Sequence, residues 1–144
     1  MQKFDVPKRK ALAELVARML DSAPGNAVPV ISIESFFDGN RDEGSIGCNL
    51  RPHPGVTRFH DVLLRIRSLP TVQDVLVGIH DASDPGSWPY AETVYVLTTS
   101  PTQEIADLAV ELQPSEVVDN ELFNVIIGLP APRPGMRTVL LWWD

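Results

Sequence analysis

The side chains with chemistry to offer in this sequence are three histidines, one cysteine and a short acidic stretch, and their spacing decides what each could do. Asp38, Asn40 and Asp42 set oxygen ligands at alternate positions, the spacing that opens a calcium loop. The match breaks at the sixth position, which is Glu43 rather than glycine, and at the twelfth, which is Asn49 rather than glutamate. Gly44 beside the sixth position only blurs that objection. Polar turn residues solvating a loop are the favoured reading, so no metal is predicted, with Asp38, Asn40 and Asp42 as weak candidate ligands.

His60-Asp61 and His80-Asp81 are two His-Asp pairs, and His53 is the remaining histidine. Adjacent side chains on a strand point to opposite faces, so His80 and Asp81 grip one ion only if the strand has already ended. His60 reads as a surface or boundary residue of a helix. His80, with Asp81 and Asp84, is the candidate set for acid–base catalysis, although a boundary histidine satisfied by a hydrogen bond is the preferred reading. Cys48 lies in the segment Gly44 to Asn49 with no base beside it to lower its pKa, and is expected to be a small buried residue. That segment is no phosphate loop, since no Gly-Lys-Ser/Thr follows, and no Gly-x-Ser-x-Gly elbow occurs. No cofactor is implied. Trp143 is expected in the core, whereas Trp88 and Trp142 could serve as binding anchors.

The elements that position these residues follow from periodicity. Pro7 suits a first helical turn, and Leu12, Leu15, Val16 and Met19 recur at helical spacing up to Asp21-Ser22, before Pro24-Gly25-Asn26. Val28 to Ile33 reads as a strand continuing towards Phe36 and Phe37. Residues 38 to 54 form a long polar loop, with one short strand expected at Ser45 to Asn49. Gly55 opens a second helix with an apolar stripe of Val56, Phe59, Val62, Leu63 and Ile66, stopped by Pro70. Val72 to His80 and Thr93 to Thr99 are strands. Ser100 is a plausible cap for a third helix carrying Ile105, Leu108, Ala109 and Leu112. Residues 113 to 136 show no clear pattern, with Pro130, Pro132 and Pro134 making 130–136 an extended connector, and Thr138 to Trp143 is a last strand.

After the first helix the order is strand, helix, strand, strand, helix, strand. That is the βαββαβ arrangement of a ferredoxin-like split βαβ fold, an α+β class with an antiparallel sheet and an extra N-terminal helix. The whole chain, 1–144, is read as one domain, with 1–5 frayed. The right-handed crossover rule would make the strands flanking the second helix parallel. Both sheet faces look apolar: Val75, Val77, Ile79, Val94, Val96, Val139, Leu141 and Trp143 on one, Leu76, Tyr95, Leu97, Leu140 and Trp142 on the other. The second face calls for a cover, either the N-terminal helix or a second copy packed face to face as a homodimer. The same topology would gather the 38–54 loop, His80 to Asp84, Trp88, Tyr90 and Arg137 at one edge. Asp38, Asn40, Asp42, His53, Trp88, Tyr90 and Arg137 are the expected ligand- or partner-binding residues there.

Composition narrows the partner. The chain has 144 residues with 12 Lys and Arg against 19 Asp and Glu, a net charge of −7, which argues against nucleic acid and anionic membrane. No apolar run approaches a membrane span, Met1 to Lys10 does not read as a signal peptide, and the lone cysteine fits a cytoplasmic location. The leading expectation is a non-catalytic binding protein with a protein partner or small ligand at the loop edge. One version is an inhibitor or immunity-type partner of a basic protein, since acidic charge speeds association with a cationic surface. The alternatives are a small enzyme built on the 38–42 loop and His80 to Asp84, and a face-to-face dimer enclosing a small ligand.

Overall fold

A computed structural model describes residues 3–119 and 125–144. Helix α1 (Val6–Leu20) begins where the Asp5 side chain accepts from the Lys8 N–H, and it buries Leu12 and Val16. Phe4 is buried and bridged to Asn40, so the chain is already held at a position expected to fray, while residues 1–2 lie outside the described residues. Strand β1 (Val28–Ser32) is shorter than its apolar run. Ser32 accepts from the Ser35 N–H and caps helix α2 (Ile33–Phe37), whose Ile33, Phe36 and Phe37 are buried at helical spacing. The apolar residues taken as a strand continuation are therefore a helical face. Helix α3 (Val56–Arg67) opens at Gly55, whose φ of 100° favours glycine, and buries the whole predicted stripe.

Strands β2 (Val72–Asp81) and β3 (Tyr90–Thr98) form a hairpin, and helix α4 (Thr102–Leu108) follows. Ser100 is not the cap of α4: Pro101 holds that position, and the buried Ser100 hydroxyl donates to Thr71 Oγ1 at 2.6 Å. Strands β4 (Glu116–Asp119), β5 (Ile126–Ile127) and β6 (Arg137–Trp142) complete a six-stranded sheet in the order β4-β6-β3-β2-β1-β5. All neighbours are antiparallel except β1 and β5. The class is α+β as expected, but the sheet is not the four-stranded ferredoxin-like one. β1 and β2 are adjacent and antiparallel, with Ser32 opposite Leu76 and Val30 opposite Gly78.

The reason lies between those two strands. A single helical crossover returns the chain parallel, but two passes occur here. α2 stays near the end of β1, where Glu34 pairs with Arg67 at the far end of α3. The 38–55 loop then crosses to the other end of the sheet, where Ile46 bridges Ala91. α3 runs back, and β2 enters antiparallel. That bridge stands where a short strand at Ser45 to Asn49 was expected; residues Glu43–Ser45 form a single 3₁₀ turn.

One sheet face carries the main core. Val75, Val77, Ile79, Val94, Val96, Val139, Leu141 and Trp143 are all buried against α1, α3 and the α4 region, each large side chain contributing about 1.5–3 kcal/mol. Trp143 donates its indole N–H to Leu112 C=O at 2.8 Å. α1 packs on this face, so it is not the cover of the second one. There Val30, Leu76 and Tyr95 are buried together, flanked by Val28, Ile126, Leu129 and Leu140. Trp142 is half-buried on that side. No helix among the described residues is long and apolar enough to cross a membrane.

The Glu34–Arg67 pair should stabilise the fold above the acid range. Hydrogen bonding to Arg67 holds the Glu34 carboxyl down at about 2 from its ordinary 4.5. A depressed carboxyl stabilises the fold above its unfolded pKa, and that stability is lost as pH falls from about 4.5 towards 2. Since the Glu34 side chain is 62% exposed, the loss should stay below about 1 kcal/mol. Denaturant unfolding between pH 5 and pH 2.5 should show a steeper decline for the native chain than for Glu34→Gln; equal slopes would mean that the pair contributes nothing.

Candidate functional site

The β2–β3 turn and the 38–55 loop meet at one end of the sheet, and what fixes them there is hydrogen bonding to backbone. Asn40 is buried, donating to Ser45 Oγ at 2.9 Å and accepting from the Asp42 N–H at 2.9 Å. Asp42 is buried too. One carboxylate oxygen accepts from the Gly44 N–H at 3.0 Å and the other from the Trp88 N–H at 3.2 Å, joining the loop to the turn. Arg9 of α1 locks the turn from the other side, donating to the carbonyls of Ala82, Asp84 and Ser87 at 3.0, 2.7 and 3.1 Å. Its neighbour Lys8 pairs with Asp38 at 2.8 Å.

A cavity of about 350 Å³ opens between these segments. Asp42, Gly44 and Cys48 line it from the loop, and Asp81, Asp84, Ser87, Trp88 and Tyr90 from the hairpin, with Lys3 at its side. Asp81 accepts from the Ser83 N–H at 2.8 Å; Asp84 accepts from the Gly86 N–H at 2.9 Å and the Ser87 hydroxyl at 3.0 Å. Hydrogen bonding holds both carboxyls below the usual carboxylate range, with the Ser83 side chain the largest cause at Asp81, ahead of the Ser83 amide, and the Gly86 amide the largest at Asp84. Tyr90 behaves oppositely: burial first, then Cys48, push its phenol well up, so it stays an O–H.

Trp88 is not the exposed anchor that its loop position suggested. It is 1% exposed, its ring lies 6.1 Å from that of Phe4, and its Nε1 has no hydrogen-bond partner among the described residues. Cys48 is not buried, as expected of a small apolar residue, but exposed, with its thiol donating to Tyr90 Oη at 3.5 Å. Ile46 and Gly47 take the inward positions, and a Cβ at Gly47 would sit 2.7 Å from Phe59 Cζ, so the chain turns Cys48 outward.

The remaining candidates disperse. His80 is exposed, edge-on to Tyr90 and 3.6 Å from Glu92, and does not line the cavity that holds Asp81 and Asp84. Irregular pairing at Gly78, Ile79 and Asp81 breaks the alternation that set its expected face. His53 is a tie within the loop. Its Nδ1 accepts from the Gly55 N–H at 2.8 Å, so the proton sits on Nε2, which donates to Ile46 C=O at 2.8 Å. His60 stacks on Phe37 on the far side of α3. Asp38 faces away towards Lys8, so Asp38, Asn40 and Asp42 do not converge as a calcium loop would require. Among the described residues no three His, Cys, Asp or Glu side chains are grouped to hold a metal ion.

Arg137 was expected at this edge and lies at the opposite one. It sits opposite Thr98, at the other end of β3 from Tyr90, and pairs with Asp119 at 3.1 Å. The expectation followed from the parallel pairing of β1 and β2, which the antiparallel sheet removes. Lys3, Arg9 and Ser87, by contrast, belong to the site without any local pattern to mark them, since they join it from 70 or more residues away or from an unremarkable turn.

Known proteins give this arrangement its lineage. No solved structure matches. A protein of Escherichia coli (strain K12), named Uncharacterized protein YfbO, is 34% identical over 122 residues, covering 84% of this chain and 86% of its own. The family model described as Uncharacterized protein YfbO family matches residues 8–141, which take in nearly all of the cavity's lining. The chain belongs to the YfbO family.

Proposed function

We propose that this protein is a binding protein whose loop edge receives the basic group of a partner. The observation that carries the reading is the cavity itself: its carboxylates are engaged by turn amides that fix their positions, while no ion pair among the described residues neutralises Asp81 or Asp84. Fixed negative charge that no described ion pair takes up favours a cation in a concave site and speeds its approach. A net charge of −7 acts in the same direction at longer range. An inhibitor or immunity-type protein for a basic partner is one version of this activity. The enzyme reading has less support, because His80 lies outside the cavity and the Cys48 thiol has a phenol beside it rather than a base.

The test is charge reversal with a matched control. Association of a Lys- and Arg-rich dodecapeptide, followed by interferometry, should weaken at least tenfold for Asp81→Lys with Asp84→Lys and should fall with added salt. Glu14→Lys with Glu104→Lys makes the same change in net charge on exposed helix positions elsewhere and should leave most of the binding intact. Equal weakening by both pairs would reduce the effect to unspecific charge and sink the proposal.

A further inference from the structure

His53 stands where the 38–55 loop meets α3, and both of its ring nitrogens hold the two together. Nε2 donates to the Ile46 carbonyl at 2.8 Å, and Nδ1 accepts from the Gly55 N–H at 2.8 Å. Ile46 is fully buried and bridged to Ala91 of β3, so one end of this link is fixed on the sheet. The other end is the head of α3. Gly55, its N-cap residue, has no side chain with which to cap the first turn, and that turn carries no acidic residue.

The arrangement fits one protonation state. A neutral imidazole has one donor and one acceptor, and here each has its partner. A second proton would go to Nδ1, where the Gly55 N–H already points, and two donors would then face each other. The added charge would also lie against the α3 N-terminus, whose free N–H groups and dipole disfavour a cation. From α3 the ring meets Phe59, at 5.4 Å between centroids, and from the loop Glu43, Cys48 and Arg51 line the same pocket. Of these charges Glu43 favours a cation and Arg51 opposes it, the Arg51 guanidinium being held by the carbonyls of Cys48 and Leu50 at 2.9 and 2.8 Å. Both residues are exposed, so solvent screens them, and neither replaces the bond to Gly55.

We infer that His53 is a proton-operated latch on the 38–55 loop: neutral, it ties Ile46 to the head of α3; protonated, it releases Gly55 and frees the loop there. The tie is complete while the ring is neutral and is lost as pH falls below histidine's ordinary value of about 6.5. Asp42, Gly44 and Cys48 of the same loop line the loop-edge cavity, so acid would alter that cavity's loop wall. No ligand is needed for the release, which therefore stands or falls apart from the binding role above.

Amide exchange of the full chain by ¹⁵N NMR, corrected for intrinsic rates, reads the latch at Gly55, and the His53 ring nitrogens read its protonation. Between pH 7.5 and pH 5 the protection of Gly55 should fall at least tenfold, with the midpoint of the ring's own titration. The Val77 amide in β2 should keep its protection, which separates local release from global unfolding. His53→Asn sets a carbonyl oxygen near the place of Nδ1 and has nothing to titrate, so it should keep Gly55 protected at both pH values. His60→Gln with His80→Gln removes the other two histidines and should leave the native fall in place. The latch is overturned if the native ring takes up its proton with Gly55 still protected, if the ring stays neutral down to pH 5, or if the asparagine variant loses protection as the native chain does. The first two outcomes are read on the native chain alone, so a variant that fails to fold leaves the test intact.

Discussion

Phe59→Ala should lower the unfolding free energy by about 3–5 kcal/mol, the range for truncating a fully buried aromatic ring. Phe59 is 0% exposed and is the middle ring of a ladder, 5.4 Å from His53 on one side and 5.4 Å from Trp143 on the other. It also supports the loop directly, because Gly47 passes so close that a side chain there would meet the ring. The cavity left by alanine would thus lie between the sheet and the segment carrying Ile46, Cys48 and His53. Two readouts should move together: the denaturant midpoint, and hydrogen exchange at the Leu50 and Gly55 amides, which depend on the Gly47 carbonyl and the His53 ring. Phe59→Leu should cost substantially less, since most of the volume stays. A loss below about 1 kcal/mol for alanine would show that the loop collapses onto the sheet without strain and does not need the ring as its seat.

The elements of this fold were legible because their signals are local. The stripes on α1 and α3, the alternation of β2, β3 and β6, and the stop at Pro70 each depend on residues a few positions apart, and the structure follows them closely. Where a local signal was ambiguous, the reading failed. Ile33 to Phe37 is as apolar as a strand, and only the Ser32 cap, a single hydroxyl, turns it into a helix. That one turn has a large consequence, because it changes the number of passes between β1 and β2 and so the direction of β2. A crossover rule applied to one helix gives parallel strands; applied to α2, loop and α3 it does not. The six-stranded sheet also needs β4 and β5, of four and two residues, which are too short to announce themselves in composition.

The site was legible in a different way. Asp42, Trp88 and Tyr90 meet Asp81 and Asp84 at one edge, although the strand order differs from the ferredoxin-like one. The grouping survives because the long loop must reach whichever end α3 starts from, and the β2–β3 hairpin turns at that same end in either topology. Arg137 has no such protection, since its place depends on strand direction alone, and it is at the other end. Side-chain direction was the least accessible level. Sequence cannot say that Cys48 turns outward because Gly47 is pinned on Phe59, that His53 spends both ring nitrogens on backbone, or that Arg9 reaches three carbonyls across more than 70 residues.

Asp42 is the residue on which fold and site depend together, and its removal should affect both. In Asp42→Ala the N–H groups of Gly44 and Trp88 lose their carboxylate acceptor at a residue that is 4% exposed. A hydrogen bond to a charged group contributes about 1.5–3 kcal/mol, so the loss of two should amount to about 3–6 kcal/mol. Asp42→Asn keeps one carbonyl oxygen and can satisfy one amide, so it should lose roughly half as much. The pair of variants also separates stability from position. Asp42 joins the cavity's loop wall to its hairpin wall, alongside the Ile46–Ala91 bridge and the Cys48–Tyr90 hydrogen bond, so alanine should shift the Trp88 indole resonance and weaken basic-peptide binding at temperatures where the chain is still folded. If alanine lowers stability but leaves that resonance and the binding unchanged, the Arg9 clamp on the carbonyls of Ala82, Asp84 and Ser87 is enough to hold the turn, and Asp42 serves the loop alone.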